Sequence, residues 1–236
     1  MLSMNSDEKE VYDRLYQSSK KKLRFDEQAK LTRLQIRVPE VRKLMKPKYS
    51  FITNETEKNN KAWSKIWKET QIFEIKSQAL YFYQYRSLSK KEFQTIIKWA
   101  PTLSTWEHSD DFSKILAQVT EENPHWTIPI FRKWNQSKNL WLRRQSLIGL
   151  IEYASKRKNV LPFKTYISFI HPLLADDAYY VQKAFGWTLR EVYNIYPKEC
   201  FHYLSKNIHQ FSSIAFSTST EKCTIDEKSK LKKLRN

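Results

Sequence analysis

The sequence predicts an all-α protein, a stack of paired helices, and three observations predict it. Apolar residues recur three and four apart along most of the 236 residues. Only two glycines occur, Gly149 and Gly186. Prolines and polar clusters fall where one periodic stretch gives way to the next. A helical repeat places such apolar residues on one face. Glycine supplies the positive-φ positions of hairpins and of loops that cradle phosphate, and an average chain of this length carries roughly sixteen. A chain with two cannot build many tight β-turns. It also cannot carry a Walker loop or a dinucleotide fingerprint, each of which needs close glycines.

The periodic stretches are 60–69, 72–86, 90–100, 110–122, 139–157, 161–174 and 177–195. Leu147, Ile148 and Ile151 illustrate the spacing, as do Val181, Phe185, Thr188 and Val192. Pro39, Pro101, Pro124, Pro162 and Pro197 are read as helix starts, where the missing N–H has no helical partner to lose. About a dozen helices with short links then give an α-solenoid. Trp63, Trp106, Trp141 and Trp187 recur at spacings of 43, 35 and 46 residues, loosely like a HEAT repeat of about 40–47 residues. An irregular globular helical domain is the alternative on pattern alone. The expected organisation is a single HEAT-like domain over 1–225. A charged C-terminal tail over 226–236 follows, carrying Lys228, Lys230, Lys232, Lys233 and Arg235, as a fraying helix or a disordered basic segment.

The charge points to a partner. Forty-two Lys and Arg oppose 25 Asp and Glu, for a net charge of +17 and a pI near 9.7. Such an excess repels itself in a folded chain and favours a polyanion. Nucleic acid is the first candidate and a membrane surface the second. The clusters are Lys20-Lys21-Lys22 with Arg24; Arg37, Arg42, Lys43, Lys46 and Lys48; and Arg143-Arg144 with Lys156-Arg157-Lys158. Lined along a basic concave face, they would hold backbone phosphates, which fixes position without reading sequence. For any single lysine, a solvated surface is the ordinary reading.

Cys200 and Cys223 form no CxxC pair, and the five histidines form no HExxH, so no zinc site is expected. No organic cofactor is implied. The polar start from Met1 to Asp7 has no signal-peptide character and no apolar span follows. The expected setting is therefore cytoplasmic, intracellular and nucleoid-associated, and the expected state is a monomer.

Three strings are distinctive: Thr105-Trp106-Glu107-His108-Ser109-Asp110, Asn139-Leu140-Trp141-Leu142-Arg143-Arg144, and Gln182-Lys183-Ala184-Phe185-Gly186-Trp187-Thr188-Leu189-Arg190-Glu191. In this order they resemble the AlkD-type DNA alkylation repair family. Val38-Pro39-Glu40-Val41-Arg42 is similar to that family's PExR segment. The likeness covers roughly residues 30 to 220. It implies a HEAT-like solenoid and a monofunctional DNA glycosylase acting on duplex DNA. The substrates implied are purines alkylated at a ring nitrogen and therefore cationic. Position by position, Trp106 and Trp187 match the active-site tryptophans, Asp110 the catalytic aspartate and Arg144 the phosphate-contacting arginine. Arg143, Arg37 and Arg190 join Arg144 as expected phosphate contacts. Non-catalytic binding of damaged or branched DNA is the alternative function.

The residue types suit the chemistry. A cationic purine leaves without protonation, and positive charge builds on the deoxyribose as the glycosidic bond stretches. A carboxylate stabilises that charge and orients water. Indole faces attract a cation. Without the resemblance, Trp187 reads as core at the edge of a buried stripe, and Asp110 as a helix-start acid. Likewise, Arg144 would be a partner of Trp141 at i, i+3, and Gly186 a point of close helix packing.

The chain departs from the family pattern at Glu107, where Asp is usual, and adds Asp111 beside Asp110. Arg37 stands where the best-known members have a polar DNA-probing residue. Asp26 falls near the position of their upstream aromatic residue.

Overall fold

The computed structural model describes residues 4–46, 48–151 and 156–235. Thirteen α-helices are found among them, with one two-stranded β-hairpin. The predicted all-α helical-repeat class therefore stands, with the hairpin as an addition. The chain divides into two units, 1–115 and 116–236.

In the N-terminal unit, α1 spans Ser6–Tyr16 and starts on Asn5, whose side chain accepts from Glu8 N. The hairpin follows: β1, Arg24–Asp26, pairs antiparallel with β2, Leu31–Arg33. Scarcity of glycine argued against tight turns, yet this one forms. Lys30 takes the left-handed position at φ 55°, and Asp26 Oδ1 accepts the Ala29 N–H at 3.1 Å. An Asx-type bond of this kind stands in for a backbone turn. Leaving the hairpin, Leu34 N donates to Glu74 Oε2 at 2.8 Å. Burial raises the pKa of Glu74, and bonds from the backbone around residues 34–36 oppose that shift.

Next come α2 (Val38–Leu44), α3 (Thr56–Glu69), α4 (Phe73–Tyr83) and α5 (Lys90–Ile96). The central helix is α4, contacted by α1, α2, α3 and β2. Eight of its residues are buried, among them Ile75, Ala79, Leu80 and Tyr83. Its buried polar residues are bonded, Glu74 to Leu34 N and Gln78 to Tyr49 and the Val41 carbonyl, as burial requires. A capping box between Ser89 and Glu92 starts α5, which satisfies two otherwise orphan N–H groups. Pro101, expected to start a helix, lies instead inside a 3-10 segment, Ile97–Thr102. The next helix, α6, spans Trp106–Glu122 and crosses the boundary between the units.

The C-terminal unit continues with α7 (Pro124–Asn135), α8 (Leu140–Ile148), α9 (Phe163–Ile170) and α10 (Tyr179–Tyr193). It closes with α11 (Pro197–Asn207), α12 (Ser213–Ser219) and α13 (Ile225–Arg235). Pro39, Pro124 and Pro197 sit in first turns as expected, and Pro162 is the N-cap of α9. The stretch 139–157 was expected as one helix. It stops at Ile148, with Gly149 as the C-cap; residues 152–155 of that expectation lie outside the described residues. Helices α8, α10 and α12 pack in succession, α10 against both of the others. Contacts that skip the intervening helix are how a two-layer helical stack is wired. Gly186 makes the α10–α12 contact possible. A Cβ there would lie 2.8 Å from Thr218 Cβ and 2.9 Å from the Ala215 carbonyl.

The segment 226–236 was expected as a basic tail. Most of it is α13, with Leu231 fully buried and Tyr193 Oη donating to Glu227 at 2.7 Å. Arg235 adds to the docking, donating to the Phe211 carbonyl at 3.4 Å and covering the Phe216 ring at 4.8 Å.

Candidate active site

The first turn of α6 is the best-built part of the candidate site. Thr105 precedes the helix and its Oγ1 accepts from His108 N at 3.2 Å, as an N-cap does. A helix starting at Trp106 brings Asp110 back to the same face one turn later. Trp106 is 48% exposed and Asp110 half-buried. The intervening residues turn inward. His108 and Ser109 are buried, and so is Asp111.

Each inward residue anchors the helix. The His108 ring stacks on Phe73, with centroids 4.1 Å apart, and its Nε2 lies 3.0 Å from the Phe73 carbonyl and 3.1 Å from Ser77 Oγ. Burial, reinforced by the positive charge of Lys76, pushes its pKa down to about 3, so the ring is neutral. Asp111 accepts from Arg42 at 3.2 Å and from Lys114 at 3.0 Å. Gln84 Nε2 donates to the Asp111 carbonyl at 2.9 Å and to its Oδ1 at 3.2 Å. The second carboxylate is thus tied into the structure and does not share the outward face of Asp110.

Glu107, the departure from the family pattern, also has a partner. Arg33 reaches Glu107 Oε1 at 3.1 Å and Asp26 at 3.1 Å, while its guanidinium covers the Phe73 ring at 3.9 Å. The pKa of Asp26 is lowered, first by the Ala29 N–H and then by Arg33. Asp26 therefore serves the hairpin turn and the ion pair.

Trp187 is on α10 and half-buried, while Val181, Phe185, Thr188 and Val192 of the same helix are buried. It stands at the edge of the core stripe, as its phase on the helix predicts. Trp141 on α8 stacks on Tyr180, centroids 5.2 Å apart.

The four expected phosphate contacts divide. Arg37 is exposed, at the N-cap of α2. Arg143 is committed within its unit. Nε and Nη2 grip both oxygens of Asp176, and Nη1 donates to the carbonyls of Ser137 at 2.9 Å and Lys138 at 3.0 Å. Arg144 is buried, 2% exposed, with Nη1 donating to the Tyr180 carbonyl at 2.6 Å. Arg190 is held by Glu191 and Glu221, bonds that raise its pKa against burial. These three side chains hold helices together in the structure, a role that spacing in the sequence could not reveal. Lys20, Lys21, Lys22 and Arg24 are exposed ahead of and within β1. Arg42, which closes the PExR-like segment, proves to be a partner of the candidate site through Asp111.

Among the described residues no group of His, Cys, Asp and Glu could hold a metal, and no helix is long and apolar enough to cross a membrane.

The chain is a strongly basic helical-repeat protein with an acid and an exposed indole one turn apart on α6. The chain belongs to the DNA alkylation repair enzyme family, whose sequence pattern matches residues 16–223. AlkD2 from Streptococcus mutans is similar in fold, with 19% identity, a TM-score of 0.61 and coverage of 91% of this chain and 98% of that one. The smu.31 protein from Streptococcus mutans UA159 is 18% identical, with a TM-score of 0.54 and coverage of 84% and 90%. No curated protein matches the sequence. The family resemblance carried by the Trp106, Trp141 and Trp187 strings is thereby borne out.

Proposed function

We propose that the protein is a DNA glycosylase that excises cationic, ring-nitrogen-alkylated purines from duplex DNA. The observation that carries this reading is the pairing of exposed Trp106 with Asp110 one turn later on α6. In the reaction the glycosidic bond breaks with its electron pair passing to the purine nitrogen, which neutralises the leaving base. Water adds to C1′ and loses a proton. The Asp110 carboxylate stabilises the oxocarbenium-like sugar and orients that water. Trp106, with Trp187 in the role the family resemblance gives it, presents indole faces to a cationic nucleotide. Arg37 and the exposed lysines supply phosphate contacts. No protonation of the leaving group, metal or nucleotide cofactor enters the scheme. The partner proposed is alkylated duplex DNA, bound by a monomer.

The departures from the resembled pattern at Glu107, Arg37 and Asp26 keep open a second reading, a non-catalytic module that binds damaged or branched DNA. One experiment separates the two. The protein is incubated with duplex DNA carrying 7-methylguanine or 3-methyladenine, and released base is quantified beside the Asp110→Asn variant. The glycosylase reading expects release by the native chain, lowered at least about 100-fold in the variant, with DNA affinity retained. Salt-dependent binding without release by either protein establishes the binding module instead.

A further inference from the structure

Among the described residues, three other than glycine have positive φ: Lys30, Gln35 and Tyr85, at 55°, 59° and 61°. Lys30 closes the hairpin turn. Gln35 follows Leu34, whose N–H is fixed by Glu74, and its own side chain donates to the Lys22 carbonyl. Tyr85 closes the turn that ends α4, where Gln84 is extended at φ −66° and ψ 143° and the left-handed residue after it is usually Gly or Asn. A bulky residue in the left-handed region is an outlier, and residues held there collect where a protein contacts its ligand. The ring gains nothing from the core, since Tyr85 is 75% exposed.

Its neighbours on both sides are locked. Gln84 is buried and bonded to Asp111. Arg86 pairs with buried Glu92 at 3.4 Å and lies over the Phe82 ring at 4.5 Å. The backbone is thus fixed before and after Tyr85, and the ring is presented to solvent. The place is also specific. Gln84 is anchored on the residue that follows Asp110. Arg42 reaches Asp111 and covers the Tyr81 ring at 5.1 Å. Arg42 and Gln84, through Asp111, therefore tie the segment around Tyr85 to α6.

We infer that Tyr85 is a DNA-contacting residue, which stacks its ring on a base or sugar of the duplex. This rests on the DNA-binding part of the proposed function, and needs no catalysis. Aromatic stacking tolerates any base, so the contact would hold and orient DNA without selecting sequence.

The test measures affinity for a fluorescein-labelled duplex by anisotropy, with 2-aminopurine fluorescence in a second duplex reporting stacking. Tyr85→Gly suits the backbone conformation, so its thermal midpoint should be no lower than that of the native chain. Its duplex affinity should fall about tenfold, with an unchanged salt dependence and loss of the 2-aminopurine response. Tyr85→Phe should bind within about twofold of native. Ile225→Ser, a change at an apolar residue that is 86% exposed on α13, should leave affinity unaltered. Native affinity in Tyr85→Gly, beside a native chain that binds, overturns the inference and leaves the proposed function standing. A native chain that binds no duplex at moderate salt overturns both.

Discussion

Acid should loosen the start of α6, because His108 accepts no proton in the folded state. Its ordinary pKa of 6.5 falls to about 3, chiefly through burial and then through Lys76 and Arg33, against a favourable bond to the Phe73 carbonyl. The unfolded chain takes up a proton as the pH drops through 6.5, and the folded chain does not. The stability contribution of neutral His108 is therefore complete above pH 6.5 and is lost as the pH falls towards 3. Each pH unit within that window costs about 1.4 kcal/mol. Between pH 6.5 and 5 the loss is about 2 kcal/mol, a large share of the 5–15 kcal/mol by which such domains are stable. The assay is urea unfolding at half-unit steps from pH 7.5 to 5, for the native chain and for His108→Gln. Carboxylates titrate in both proteins, so the readout is the difference between the two curves. The variant should be less stable at pH 7.5, and the gap should close by about 2 kcal/mol by pH 5. Parallel curves would refute the argument, since they would mean that His108 takes up its proton without unfolding.

Arg143→Ala should act on stability rather than on DNA. The pair with Asp176 is mostly buried, with side chains 16% and 7% exposed, and breaking such a pair costs about 3–5 kcal/mol. The slope of log affinity against log salt should stay that of the native chain, and a shallower slope would return Arg143 to the phosphate contacts. Gly186→Ala should overpack the α10–α12 contact, where the new Cβ meets backbone 2.9 Å away. A loss of about 1–3 kcal/mol is expected in thermal or urea unfolding, and an unchanged midpoint would show that the two helices can separate freely.

Much of this was legible in the chain. The apolar periods of α10 and α4 and the prolines at 39, 124 and 197 marked helices, because burial of one face and a missing N–H leave a direct trace in sequence. The hairpin left no such trace. Its turn uses Lys30 and Asp26 where a glycine signal was sought, and three-residue strands are too short for a period to show. The α7 helix was marked at its start by Pro124, while Pro129 in its interior obscured its extent. In the candidate site, Trp106 and Asp110 were singled out by the family resemblance, since on its own Asp110 reads as a helix-start acid. The arginines could not be told apart, since a guanidinium that meets phosphate and one that meets Asp176 look alike until the fold supplies the partner. Tyr85 gave no signal at all, because only a backbone angle and the locking of its neighbours set it apart.

Arg33 draws together two parts of the chain that are seventy-four residues apart in sequence. It belongs to the hairpin, yet it neutralises Glu107, and Glu107 Oε2 is buried without a hydrogen-bond partner. The hairpin and the acid are therefore not independent characters in descent. A lineage that shed the excursion between α1 and α2 would strand a charge at the root of the helix that carries Trp106 and Asp110. A neutral residue at 107 would remove that penalty, so the two places in the chain are coupled through one ion pair.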